Sequence, residues 1–391
     1  KGHTPLRPAS TGRAPVGVGL PDPARCGDDV GPQEELVLVC PLSGSAVGDR
    51  TRVTAALGHD ETSVTATVLA SDGTAATTPV TAPRGADGRA VLEVDTSRLS
   101  PGPLTLELVA EGGDRSKGTV RAQLVRTGTV GPDVPSSPAA GARTLAYAEE
   151  FSTPVSLSRT GLGADYAAAK PVFNGAQDFG DAIFPDPAAG AGNVGVVDGS
   201  YLHLGVEPLP AGASDPQGYG RTHLGGLVAS ARTGGSGFAA QYGYFEARMF
   251  VPASNGTWPA FWLLPTDNLV QPSPVVAEID AVELYGHDPR GACHSTHEYV
   301  DGKDGGVARC GRRFDEVDQA VGWHTYGVSV QPTENIFFVD GREVARAPQV
   351  RGGEVPMFFL ADLALGGGWP VDLGATRDRA DLFVDYVRVY V

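Results

Sequence analysis

The segment AEIDAVELYG, residues 277–286, carries three acids, Glu278, Asp280 and Glu283, among mainly apolar neighbours. On an extended chain side chains alternate between faces, so Glu278 and Asp280 point together and Glu283 points away. Val275, Val276, Ile279 and Val282 mark the segment as buried, and a buried carboxylate is costly unless it is paired or used. One extra residue between Asp280 and Glu283, a β-bulge, would reset the alternation and turn all three acids into one cleft. Without it, Glu278 and Asp280 face solvent and Glu283 sits elsewhere.

With the bulge, the outer glutamates on a concave sheet approach about 5–5.5 Å, the separation of retaining glycoside cleavage. Glu278 would then attack an anomeric carbon as a carboxylate. Glu283 would protonate the departing oxygen and later deprotonate water, which requires a raised pKa. Asp280 between them supplies that elevation through its charge and orients Glu278.

Sugar cleavage also needs rings to stack on. In GTWPAFWLLP, Trp258, Ala260 and Trp262 share one strand face, while Pro259 and Phe261 take the other. The i, i+4 spacing also suits a helix, but Pro259 sits badly in one. The plainer alternative is two core tryptophans. Trp369 follows three glycines in LGGGWP, on a loop, where a large ring is expected to face ligand. Trp323, before His324 at a strand start, reads as core.

These residues lie in a region, 144–391, that reads as antiparallel strands with almost no helix. Segments such as YLHLGV, GYFEARMFV, WHTYGVSV and LFVDYVRVY alternate or run apolar, and NIFFVDGREVAR is a hairpin turning at Asp340-Gly341. About 245 residues of such strands predict two stacked sheets in a jelly roll. The first 146 residues contain none of the 14 Phe, 4 Trp and 11 Tyr, so the two regions do not share a core. Residues 31–128 still show Val- and Leu-rich strands (ELVLV, SVTATVLA, AVLEV, LTLELVA, TVRAQLV) separated by turns, the pattern of a small immunoglobulin-like β-sandwich. Lacking aromatic rings, it reads as an accessory spacer or docking domain rather than a sugar binder. Residues 129–143, rich in Pro, Gly and Ser, read as a linker, and 1–30 as a flexible N-terminal segment.

A chain of 391 residues with net charge −16 repels polyanions, which argues against nucleic acid or an anionic membrane as partner. No apolar run nears the ~18 residues of a spanning helix. Cys26, Cys40, Cys293 and Cys310 fall into two close pairs without a CxxC, which fits two local disulfides and an exported protein. The alternative is four inert buried thiols. No signal peptide is visible at Lys1, as expected of a mature end.

Together the motifs resemble the family-16 glycoside hydrolases. EIDAVE is similar to the bulged form of that family's active strand, as in laminarinases and agarases. GYFEARMFVPASNGTWPAFWLLP, WHTYGVSVQPTENIFFVDGREV, MFFLADLALGGGWP and LFVDYVRVY resemble further family segments in order. The resemblance implies an all-β, concanavalin-like jelly roll with Glu278 as nucleophile, Asp280 assisting and Glu283 as acid/base. It also implies a histidine beside the acid/base, His297 in ACHSTHEY, with His294 on the opposite face, and a Cys293–Cys310 clip on the following loop. Trp258, Trp262, His297 and Trp369 are the expected substrate contacts.

Catalysis then needs no cofactor, although the resemblance implies a structural calcium held by the Glu150 backbone in AYAEEF and by Asp385 in VDYVRVY. Asp362 departs from the pattern, where relatives carry Asn. Residues 163–193, with Tyr166, Phe173, Asn174 and Phe179, are expected to build one cleft wall. The implied protein is a secreted, monomeric, endo-acting retaining β-glycanase for β-1,3- or β-1,3-1,4-glucan. The runner-up is an endo-β-galactanase or agarase-type hydrolase, or a transglycosylase. A non-catalytic glycan-binding protein and a purely structural wall or adhesion protein are more distant readings.

Overall fold

The computed structural model describes residues 13–17, 19–23, 26, 30–112, 118–128, 134–311 and 317–391. Much of the expected flexible segment 1–30 and part of the linker therefore lie outside the described residues. The pieces of the segment that are described are anchored: Arg13, Val16 and Gly19 donate backbone hydrogen bonds to Gly163, Val155 and Gly192. Val16 and Leu20 also pack against apolar clusters of the second domain. Residues 134–143 likewise lie on the second domain, where Val134 accepts from Arg388 and Ser136 bonds Tyr390.

The first domain stacks a three-stranded sheet on a five-stranded one, closing over Leu38, Val53, Val64, Leu92, Leu106 and Leu124. It docks on the second domain rather than hanging from it. Ser43 donates to Asp381 at 2.6 Å, Arg121 pairs with Asp318 at 2.5 Å, and Val125 packs with Tyr201, Phe250 and Phe383. Both cysteine pairs are bonded, Cys26 with Cys40 and Cys293 with Cys310.

The second domain is an all-β jelly-roll sandwich of a nine-stranded and a ten-stranded sheet. The Glu334–Val339 and Arg342–Pro348 strands form the expected hairpin. Its turn residues Asp340 and Gly341 have φ of 48° and 73°, the left-handed pair that a tight two-residue turn requires.

Five strands of the nine-stranded sheet position the acids. They are β1 (Gly226–Ala229), β2 (Thr257–Pro265), β3 (Val275–Glu283), β4 (Ala292–Val300) and β5 (Met357–Leu365), lying side by side in the order β1-β5-β2-β3-β4. Alternation separates their faces. Phe261, Leu263, Phe359, Ala361 and Leu363 enter the core between the sheets. Ala260, Trp262, Phe358, Leu360 and Ala364 form a second apolar cluster on the opposite face, with Phe179 and Phe184 packed over it. Burial on both faces explains why β5 reads as an apolar run broken only by Asp362. Among the described residues no helix is long and apolar enough to cross a membrane.

Candidate active site

The bulge is present. On β4, Ser295 faces Asp280 and Cys293 faces Glu283, so Ala281 and Val282 together oppose His294. On β2, Trp262 faces Asp280 and Phe261 faces Val282, leaving Ala281 over. Ala281 and Val282 both enter the core cluster with Ile279. The doubled inward step returns Glu283 to the face that carries Glu278 and Asp280.

The three acids meet His297 there, the register partner of Glu278. His297 Nε2 lies 3.0 Å from Asp280 Oδ2 and 4.0 Å from Glu278 Oε1, while its Nδ1 contacts Asp304 Oδ2 at 2.5 Å. The Tyr299 ring stacks on it at 5.4 Å, interplanar angle 5°. His294 points into the core, as expected, against Phe337. Its Nδ1–H donates to the Ala281 carbonyl at 2.7 Å, an oxygen within the disrupted stretch of ladder.

Trp258 is half-buried, and its Nε1–H donates to Glu283 Oε1 at 3.1 Å. Tyr285 OH reaches the same oxygen at 3.5 Å. Trp262 lies deeper, donating to Asp362 at 2.6 Å and touching Phe179 edge-on. It serves the cleft floor through packing, as the plainer reading of that ring allowed. Trp369 is 50% exposed at the rim and packs on His287 at 4.3 Å, with Tyr285 at 6.4 Å.

Electrostatics follow from this crowding. Burial raises the pKa of Glu278 to about 8, with the Asp280 charge adding to it. Burial likewise raises Asp280 to about 7, with Glu283 contributing. Glu283 is raised by burial first and by Glu278 among its neighbours, against the Trp258 N–H, which lowers it. Asp280 is thus not the main source of the elevation on Glu283; loss of solvent is. His297, held by Asp280 and Asp304, rises to about 10 and is a cation at neutral pH. Its charge lowers the pKa of all three acids, so the four groups titrate as one unit.

Sequence reasoning missed Asp304, Tyr285, His287, Tyr299 and Lys170. Tyr285 and Tyr299 each follow a site residue by two positions, a spacing that keeps them on its face. Lys170, from a hairpin of the covering segment, lies over the Phe179 ring at 5.8 Å, and its charge acts on Glu278. The segment 163–193 thus contributes a cation to the cleft.

The residues expected to hold calcium are matched to guanidinium groups. Glu150 pairs with Arg388 at 2.7 Å and Asp385 with Arg248 at 2.8 Å. Arg248 already compensates the Asp385 carboxylate, while the Glu150 ion pair does not engage its backbone carbonyl, the expected ligand; no step below uses a metal.

A family model described as glycosyl hydrolases family 16 matches residues 221–388. The endo-1,3-1,4-beta-glycanase EglC of Rhizobium meliloti (strain 1021) is 34% identical over 206 residues, 52% of this chain and 41% of its own length. The beta-glucanase of Rhodothermus marinus is 31% identical over 170 residues, 38% of this chain and 57% of its own. The keratan-sulfate endo-1,4-beta-galactosidase of Sphingobacterium multivorum is 27% identical over 203 residues, 49% of this chain and 45% of its own. The chain thus spans about half the length of these relatives. The stretch matched by the family-16 model, residues 221–388, is the one that holds the bulged strand and its three acids.

Proposed function

We propose that the protein is a secreted endo-acting β-glycanase that cleaves β-1,3- or β-1,3-1,4-glucan with retention, by double displacement. The observation that carries this reading is the bulge at Ala281, which brings Glu278, Asp280 and Glu283 onto one face beside a cationic His297. The Rhodothermus marinus relative is named a beta-glucanase, which favours a glucan, and EglC an endo-1,3-1,4-beta-glycanase, which favours those linkages. Two disulfides suit an oxidising, extracellular setting.

In the first step a Glu278 oxygen bonds to the anomeric carbon as the glycosidic C–O bond breaks, and the departing oxygen takes the Glu283 proton. In the second, Glu283 takes a proton from water, whose oxygen displaces Glu278 from the same carbon. The raised pKa of Glu283 keeps its proton available. His297 and Lys170 offset the burial of Glu278 and favour its ionised form. Trp258 and Tyr285 hold Glu283 in place through the same oxygen.

The test is a panel of neutral and acidic polysaccharides scored for reducing ends, product length and the anomeric configuration of the first product. Endo-products from β-glucan that retain configuration support the reading, and inverted products would overturn the mechanism. Glu283→Ala should lose most activity on poor leaving groups and least on activated aryl glycosides, since only the former need protonation. The Sphingobacterium multivorum relative favours one alternative, cleavage of a β-galactan backbone by the same acids, and the panel distinguishes it.

A further inference from the structure

Asp362 has no task in the reaction above. It sits on β5, whose other residues are all apolar, on the face of Phe358, Leu360 and Ala364. It is 1% exposed. Its Oδ1 accepts the Trp262 indole N–H at 2.6 Å, while its Oδ2 is buried without a hydrogen-bond partner. Ala260 is the register partner of both Glu283 and Asp362, so the two carboxyls flank a single methyl group on the cleft side.

A carboxylate in this position would be desolvated, would face two other acids and would have no counter-ion, a combination that costs several kcal/mol. A proton removes the cost. Because Oδ1 is committed as an acceptor, the proton belongs on Oδ2. Burial, with Glu283 and Asp280 adding to it and the N–H groups of Trp262 and Ala364 opposing it, drives the proton affinity of Asp362 well above that of an ordinary aspartate.

The charged groups that act on it are Glu283 and Asp280 on β3; Glu278 on β3 and its register partner His297 on β4 stand further along. Lys170, Asp178 and Asp181 lie on the covering segment, where Asp178 is neutralised by Arg159. β1 and β2 present no titratable side chain. No ion pair reaches Asp362 among the described residues.

We propose that Asp362 is a positioning residue that works as a neutral carboxylic acid, fixing the Trp262 indole on the cleft floor and keeping a further negative charge away from Glu283. The use of a carboxyl group kept protonated by an apolar site is established enzyme chemistry. Asparagine would match its shape and acceptor without the ability to ionise. The activity arm of the test rests on the glycanase reading, and the spectroscopic arm does not.

Tryptophan emission is followed from pH 3 to pH 10 in the parent, Asp362→Asn and Trp262→Phe, beside pH–rate profiles of the first two and of Asp362→Leu. The expected emission step has its midpoint above pH 6 in the parent and is absent from both Asp362→Asn and Trp262→Phe. Asp362→Asn should keep turnover at pH 6 within about tenfold and lose less of it at alkaline pH than the parent. Asp362→Leu, which leaves the indole N–H unpaired, should lose more than tenfold throughout. A parent step below pH 5, or the same step surviving in Asp362→Asn, overturns the proposal. If Asp362→Asn does not fold, persistence of the step in Trp262→Phe overturns it and loss of the step supports it. A parent that cleaves no glycan counts against the proposed function, while the emission titration still decides the state of Asp362.

Discussion

His294 Nδ1–H and the Ala281 carbonyl meet at 2.7 Å, a contact between a core histidine and the surplus residue of the bulge. The bulge disrupts the ladder around Ala281, and a buried carbonyl without a partner costs about 1–3 kcal/mol. His294 supplies the partner from the hydrophobic side, so the convergence of the three acids depends on a residue that never reaches the cleft.

His294→Leu should therefore lower unfolding stability by roughly 1–3 kcal/mol and turnover by more than that loss of folded enzyme accounts for. His294→Gln, which keeps a donor, should recover part of both. Denaturant unfolding run beside kcat on the folded fraction checks this, and a His294→Leu enzyme with full turnover per folded molecule would contradict it.

His297 has a different role, because its charge lowers the pKa of Glu278 and Asp280. Removing the cation leaves Glu278 harder to ionise. His297→Ala should move the acidic limb of kcat/KM to higher pH, whereas Asp304→Asn should move it slightly lower, since the Asp304 charge itself raises the pKa of Glu278 and Asp280 while Asp280 still holds the His297 proton. A fall in kcat without movement of the limb would assign His297 a steric task instead.

The strand pattern, the Asp340-Gly341 turn and both cysteine pairs were legible because each rests on local periodicity or spacing. So was the bulge, since three acids on an apolar strand leave few other arrangements. The Asp304 contact to His297 was not legible: it depends on how the Lys303–Asp304 strand folds back on β4, and no spacing rule encodes that. Lys170 was hidden for a similar reason, more than a hundred residues from the acid it influences. The docking of the first domain could not be read either, because Ser43, Arg121 and Val125 carry no sign of the surface they meet.

Trp369 and His287 form an exposed pair at the rim, with Tyr285 between them and Glu283. A ring there contributes stacking equally to bound substrate and transition state, which alters KM more than kcat. Trp369→Ala should raise KM for long glucans about three- to tenfold, taking roughly 0.5–1.5 kcal/mol for a ring contact, with kcat within a factor of two. A dominant loss of kcat would place Trp369 at the bond being broken.

Glu278 links function to stability. Its folded pKa of about 8 lies above the ordinary glutamate value of 4.5, so the folded state binds a proton more tightly than the unfolded chain does. The stability this proton provides is fully present below pH 4.5 and is lost as pH rises towards 8. Glu278→Gln cannot ionise and escapes that loss. The variant should match the parent near pH 4.5 and melt higher by roughly 2–4 °C at pH 8, taking about 1 kcal/mol for the shared proton. It should also be inactive on unactivated substrate. A melting difference that stays flat from pH 4.5 to pH 8, or that favours the parent at pH 8, would mean that Glu278 is already ionised in the empty cleft and that the cation His297 outweighs burial.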